Sequence, residues 1–181
     1  MNHKFKEYIE VEIPHLKKYS LFLKPIMLWR IRSSQPSYDA VYMIRYCLLF
    51  SQKNFFKKYI CAHYKKLLVY RYGIHFSVTP KTQIGKGLFF PHPSSIIIGA
   101  DVSIGENCTI YQNVTIGGAR VGDAQKSKYP SIGADCILYA GSKVLGDIAV
   151  ADGTKVGANA VLLKNTEPFS TYAGVPAQRI K

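Results

Sequence analysis

Glycine is nearly absent from the first 76 residues; Gly73 stands alone there, although the whole chain has 14. That scarcity excludes a turn-rich architecture for this part and leaves helix as the economical reading. Long apolar runs are missing as well. The longest candidate, "AVYMIRYCLLF", is broken by Arg45, and nothing approaches the roughly 18 residues of a membrane span. The opening "MNHKFKEYIEVEIPH" is polar where a secretory leader needs an apolar core, so no leader is expected. Cysteine is sparse: Cys47, Cys61, Cys108 and Cys136 show no CxxC pairing and no zinc-ligand spacing, so no metal is expected. Their apolar neighbours suit reduced, buried thiols in a cytoplasmic protein.

Acidic residues are the scarce charge. The chain of 181 residues carries 24 Lys and Arg against 11 Asp and Glu, a net charge of +13. The excess is uneven. Residues 1–76 hold 14 cations and 4 anions, for +10, whereas residues 77–181 hold 10 and 7, for +3. A basic N-terminal part suits nucleic acid, the inner face of a bacterial membrane, or anionic ligands such as lipid-linked sugars. It also suits a solvated lysine face with no partner at all. No nucleic-acid-binding motif is present, so nucleic acid is not expected as a partner, while peripheral membrane contact stays open.

With 48% hydrophobic residues the chain can fill a sizeable core. In the first part, "HLKKYSLFLKPIMLWRIR" spaces apolar residues at three and four, a helical period that Pro25 is expected to break or kink. "SSQPSYDAVYMIRYCLLFS" predicts a second helix, capped by Ser37 with Asp39 in the first turn and Val41, Ile44 and Leu48 on one face. "KNFFKKYICAHYKKLLVYRYG" predicts a third, ended by Gly73.

From about residue 74 the texture changes to glycine and β-branched residues with a fixed step. Ile98, Ile104, Ile110 and Ile116 lie six apart, and the step resumes through Ile132, Leu138, Val144, Val150, Val156 and Leu162. Val78 and Ile84 keep it upstream. Four residues after the aliphatic one the side chain is small or medium, as at Val102, Cys108, Val114, Cys136, Ser142 and Ala160. Glycine often follows the aliphatic residue directly, as at Gly99, Gly105, Gly117, Gly133 and Gly157. A six-residue period is neither helical nor a simple two-residue alternation. It describes short straight segments joined by tight corners, with glycine tolerating the corner angles: a parallel β-helix. Two segments break the step. "GLFFPHPSSI" adds two residues, and "GGARVGDAQKSKYPS" is a polar excursion, about residues 118–131. Interruptions of a regular scaffold are where function tends to sit.

The repeat, "QNVTIGG", "VLGDI", "KVGANAVLLKN" and the tail "STYAGVPAQRI" resemble the hexapeptide-repeat acyltransferases, in particular their serine acetyltransferase-like branch. The resemblance covers residues 74–181 and implies a mainly β fold: a left-handed parallel β-helix, here behind a small helical segment at residues 1–73. It also implies a homotrimer that binds acetyl-CoA, the acetyl donor, between neighbouring subunits. His92, between Pro91 and Pro93, aligns with the catalytic histidine of that family. An imidazole suits the task, because an alcohol is a poor nucleophile until its proton is taken. His3, His15 and His63 fall in the helical part, and His75 lies seventeen residues before His92. Backbone N–H groups of Gly117 and Gly118 suit a developing oxyanion. By resemblance Gly118, Ala140 and Ala158 line the cofactor's pantetheine arm, and Lys164, Arg179 and Lys181 are candidates for its phosphates.

Two positions depart from the branch. Serine acetyltransferases carry aspartate before the catalytic histidine and a second histidine before a proline in the loop; here these are Pro91 and Tyr129. That points to a different acceptor: a hydroxyl of a sugar or surface polysaccharide, with Tyr129, Phe89 and Phe90 stacking on the ring. Serine, as in cysteine biosynthesis, is the alternative acceptor.

Overall fold

The helical part begins earlier than the sequence period suggests. The computed structural model describes residues 3–20, 23–51, 53–123 and 125–181, and its first helix, α1 (His3–Glu12), buries Phe5, Ile9 and Glu12 at helical spacing. A 3₁₀ turn over Pro14–Lys18 follows, then α2 (Lys24–Ser34). Pro25 therefore stands in the first turn of α2 rather than kinking it, where its missing N–H costs nothing. The next helix, α3 (Pro36–Phe50), is preceded by Gln35 with no side-chain cap, so Ser37 does not cap it. Pro36 takes the first helical position instead. Asp39 does fall in the first turn, but it is 1% exposed. Its carboxylate accepts from Arg32 Nε at 2.8 Å, Arg71 Nη1 at 3.0 Å and the Tyr72 hydroxyl at 3.1 Å, and so ties α2 and α3 to the last helix. That helix, α4 (Phe55–Tyr72), starts on Asn54, whose side chain accepts from Lys57 N, and ends on Gly73 at φ 62°. Burial, and then Asp39, push the Tyr72 phenol up to about 12, which keeps it a donor. Among the described residues no helix is long and apolar enough to cross a membrane.

Among the described residues, fourteen short strands build the rest. Face one stacks β1 (His75–Phe76), β3 (Ile97–Ile98), β6 (Thr115–Gly117), β9 (Lys143–Leu145) and β12 (Val161–Leu162). Face two stacks β2 (Gln83–Ile84), β4 (Ser103–Ile104), β7 (Ser131–Ile132) and β10 (Ala149–Val150). Face three stacks β5 (Thr109–Ile110), β8 (Ile137–Leu138), β11 (Lys155–Val156) and β13 (Thr171–Gly174), closed by β14 (Ala177–Arg179) antiparallel to β13. Strands within a face are otherwise parallel and in register: Ile98 pairs with Ile116, and Val144 with Leu162, eighteen residues on. The ten aliphatic residues of the six-step repeat all point inward and are at most 3% exposed. Val78 is only partly buried and lies outside a strand.

The glycines do a different job from the one the period suggests. Left-handed backbone falls three residues after the aliphatic one, at Asp101, Asn107, Asn113, Asp135 and Asn159, and at Gly141 and Gly153. Asp and Asn tolerate that region better than other residues with a Cβ. Gly105 and Gly133, one residue after the aliphatic, are instead packing sites. A Cβ on Gly105 would sit 2.5 Å from Ala134 N, and one on Gly133 would sit 2.7 Å from Asp152 N. Successive coils touch there through bare backbone.

Helices and prism share one core, which runs from Phe5 to Ala177. The join is polar. Arg45 on α3, 1% exposed, donates from Nε to Glu12 at 3.0 and 3.1 Å, from Nη1 to Ile84 O at 2.6 Å, and from Nη2 to Gly85 O. Leu88 N donates to the same Glu12 carboxylate at 3.2 Å. Burial pushes the Glu12 carboxyl up, against the pull of Arg45. All four cysteines are buried and free, and burial pushes the Cys47 and Cys61 thiols up.

Candidate active site

Each coil runs from face one to face two to face three and back to face one. His92 lies on the turn from face three into face one. Before it, Phe89 bridges to Thr109 of β5; after it the chain enters β3. Pro93 is buried, His92 O accepts from Ser94 N at 2.8 Å, and the imidazole itself is exposed. The two residues inserted into the six-residue step fall in this turn.

The same edge carries a ladder of rings. Tyr111 follows Ile110 at the end of β5, and Tyr139 follows Leu138 at the end of β8. The centroids of His92 and Tyr111 are 6.4 Å apart at 54°; those of Tyr111 and Tyr139 are 5.4 Å apart at 25°, a stack. Among the described residues the His92 ring has no hydrogen-bonded or ionic partner; Tyr111 is its one ring contact. Ala140 and Ala158 continue the edge, the first half-buried and the second exposed. The sequence reading missed both tyrosines. The signal was present, a tyrosine directly after the face-three aliphatic in consecutive coils, but the excursion sets them 28 positions apart.

Gly117, Gly118 and Tyr129 lie elsewhere, at the opposite edge of face one. A Cβ at Gly117 would meet nothing within 4 Å, so its Cα face is open to a ligand, although its carbonyl accepts from Gly146 N at 2.9 Å and it pairs with Leu145 in the ladder. At Gly118 a Cβ would come 2.8 Å from Asp123 Cβ, so glycine is needed for packing. Asp123 folds the excursion back on itself by accepting from Ala119 N at 2.8 Å and Arg120 N at 2.7 Å. Lys81 pins the loop to the prism through Ser127 Oγ at 3.1 Å. The Tyr129 ring packs over Gly99, where a Cβ would lie 2.6 Å from Cε1. One chain therefore does not bring His92 together with Gly117, Gly118 or Tyr129, because the width of face one separates them.

Phe90 is a correction: it is 0% exposed, a core residue facing the prism interior, and no ligand reaches its ring. Phe89 is 43% exposed. Lys164 Nζ donates to Gln178 Oε1 at 2.7 Å, a neutral partner that leaves its charge uncompensated. Arg179 pairs with Glu167, and both are about half exposed. His75 lies in β1 on face one. Among the described residues no three His, Cys, Asp or Glu side chains cluster as a metal site.

No family model matches the chain. The serine acetyltransferase of Staphylococcus aureus is 37% identical over 125 residues, covering 69% of this chain and 57% of the relative. The chain thus spans little more than half the length of the curated relatives it matches. The solved serine acetyltransferase of Brucella abortus superposes with a TM-score of 0.69 at 27% identity, over 99% of this chain and 69% of that one. A serine acetyltransferase in complex with CoA superposes at 0.71 and 23% identity, over 99% and 71%, a likeness of fold. These likenesses define the class as a left-handed parallel β-helix of hexapeptide repeats. Within that class the chain belongs to the serine acetyltransferase-like family of acyltransferases. They also overturn the expectation of a sugar or polysaccharide acceptor, because the relatives at this identity are serine acetyltransferases. Pro91 and Tyr129 do not outweigh that likeness.

Proposed function

We propose that this protein transfers an acetyl group from acetyl-CoA to the hydroxyl of serine, as in cysteine biosynthesis. The observation that carries the reading is the 37% identity to a serine acetyltransferase over 125 residues. The exposed His92 on a prism edge supplies the base that such a transfer needs. The imidazole takes the proton of the serine hydroxyl as the oxygen attacks the thioester carbon. The tetrahedral intermediate then collapses, the C–S bond breaks, and the imidazolium returns its proton to the departing thiolate, giving free CoA and O-acetylserine.

The separation of His92 from Gly117 and Gly118 supports assembly of the site between protomers of a homotrimer. In a closed three-fold ring each groove joins the His92 edge of one copy to the Gly117 edge of the next. The Gly118 N–H then faces the developing oxyanion beside the open Cα face of Gly117, while Ala140 and Ala158 leave room for the pantetheine arm. Lys164 is the better-placed phosphate ligand, since Arg179 must first leave Glu167. Residues 74–181 form the acyltransferase unit, and residues 1–73 support it through the Arg45–Glu12 join. With serine as acceptor the reaction belongs in the cytoplasm and calls for no membrane contact.

Thiol release from acetyl-CoA, followed with serine and with a panel of sugars, tests the reading. Release that saturates with serine supports it; release with a sugar and none with serine overturns it.

A further inference from the structure

General-base histidines are ordinarily held in one orientation by a hydrogen-bonded partner, most often a carboxylate. Here no such partner is present among the described residues. Among the described residues no carboxylate, amide or hydroxyl hydrogen-bonds the His92 ring, and the residue before it is Pro91. The ring is exposed, so packing does not enclose it. What touches it is Tyr111, 6.4 Å away between centroids. Tyr111 is fixed in turn from below by the Tyr139 stack at 5.4 Å, and its backbone N–H donates to Leu138 O at 3.0 Å. Both tyrosines are half-buried, and each stands in a register that the β-helix repeats from coil to coil.

We propose that Tyr111, backed by Tyr139, is the positioning residue for the His92 imidazole, which it orients through ring packing instead of a hydrogen bond. The inference rests on the reading of His92 as the base. An aromatic wall on one side removes the rotamers that turn the imidazole toward it, and leaves those that aim the ring outward at the groove. Offset contact between flat rings adds a preferred tilt. Because the wall acts by shape, the phenol oxygen of Tyr111 is dispensable and its ring is not.

Steady-state kinetics of Tyr111→Ala, Tyr111→Phe, Tyr139→Ala and His92→Ala, each verified as folded and of unchanged oligomeric state, test this. Misplacing a catalytic group by about an ångström costs on the order of a hundredfold. Tyr111→Ala should lower kcat by about ten- to a hundredfold with the KM for acetyl-CoA unchanged. Tyr111→Phe should restore kcat to within about twofold, and Tyr139→Ala should fall between the two. If His92→Ala is inactive while Tyr111→Ala keeps full kcat, the positioning role is wrong and the base stands. If Tyr111→Phe is as slow as Tyr111→Ala, the hydroxyl and not the ring matters, and the proposal is equally overturned. If His92→Ala keeps full activity, the base itself is misassigned. Should Tyr111→Ala fail to fold, Tyr111→Leu fills the same space without a flat ring and carries the same expectation of a lowered kcat.

Discussion

At the scale of single residues the prism is governed by where a Cβ fits and where left-handed backbone is needed. Gly105→Ala sets a methyl 2.5 Å from the backbone of the next coil, which cannot yield without separating the stack. Thermal unfolding should show a loss of about 1–3 kcal/mol. Asn113, at φ 61°, is the contrasting case. Asn113→Ala should cost about 1 kcal/mol, whereas Asn113→Gly should be close to neutral, because glycine occupies that region freely. The aliphatic step was legible because only a coil of six-residue edges buries such a column. The turn residues were misread: the eye goes to the glycine after the aliphatic residue, but the left-handed angles fall two residues later, on Asp and Asn and on Gly141 and Gly153, while Gly105 and Gly133 take the close contacts. Phe90 was misread for a related reason. Two phenylalanines in an interruption look like surface, and only the alternation of the edge decides that Phe90 points in while Phe89 points out.

Among the elements, the junction between helices and prism was the least legible. Arg45 was visible as the residue that breaks an apolar run. Its partner Glu12 is 33 residues away on a helix whose polar composition hid it. A buried ion pair contributes little net stability when intact, but removing one partner is costly. Arg45→Met should therefore destabilise the chain by about 3–5 kcal/mol in urea unfolding, since Glu12 and two coil carbonyls lose their donor. Arg45→Met combined with Glu12→Leu should recover part of that loss, because no unpaired carboxylate then stays buried. If the single variant is as stable as the parent, the join is not what holds α1 and α3 to the first coil. The excursion is the opposite case: its length and polarity were plain in the sequence, but Asp123, which folds it, looked like one more loop residue.

For the whole molecule, fold and family were legible and the acceptor was not. The period, the interruptions and the tail all point one way, whereas the choice of acceptor hung on two positions, Pro91 and Tyr129. Assembly brings its own prediction. If each groove draws His92 from one protomer and the Gly117 backbone from the next, His92→Ala and Gly117→Val subunits co-assembled into mixed trimers should rebuild about one intact site in four, although each variant alone is inactive. The central claim is that His92 deprotonates serine for attack on acetyl-CoA. Its most direct test is the rate of thiol release with acetyl-CoA and serine, measured for the parent protein and for His92→Ala side by side. The account predicts saturable, serine-dependent release that falls at least about a hundredfold in the variant. Release at the same rate in both proteins would contradict it.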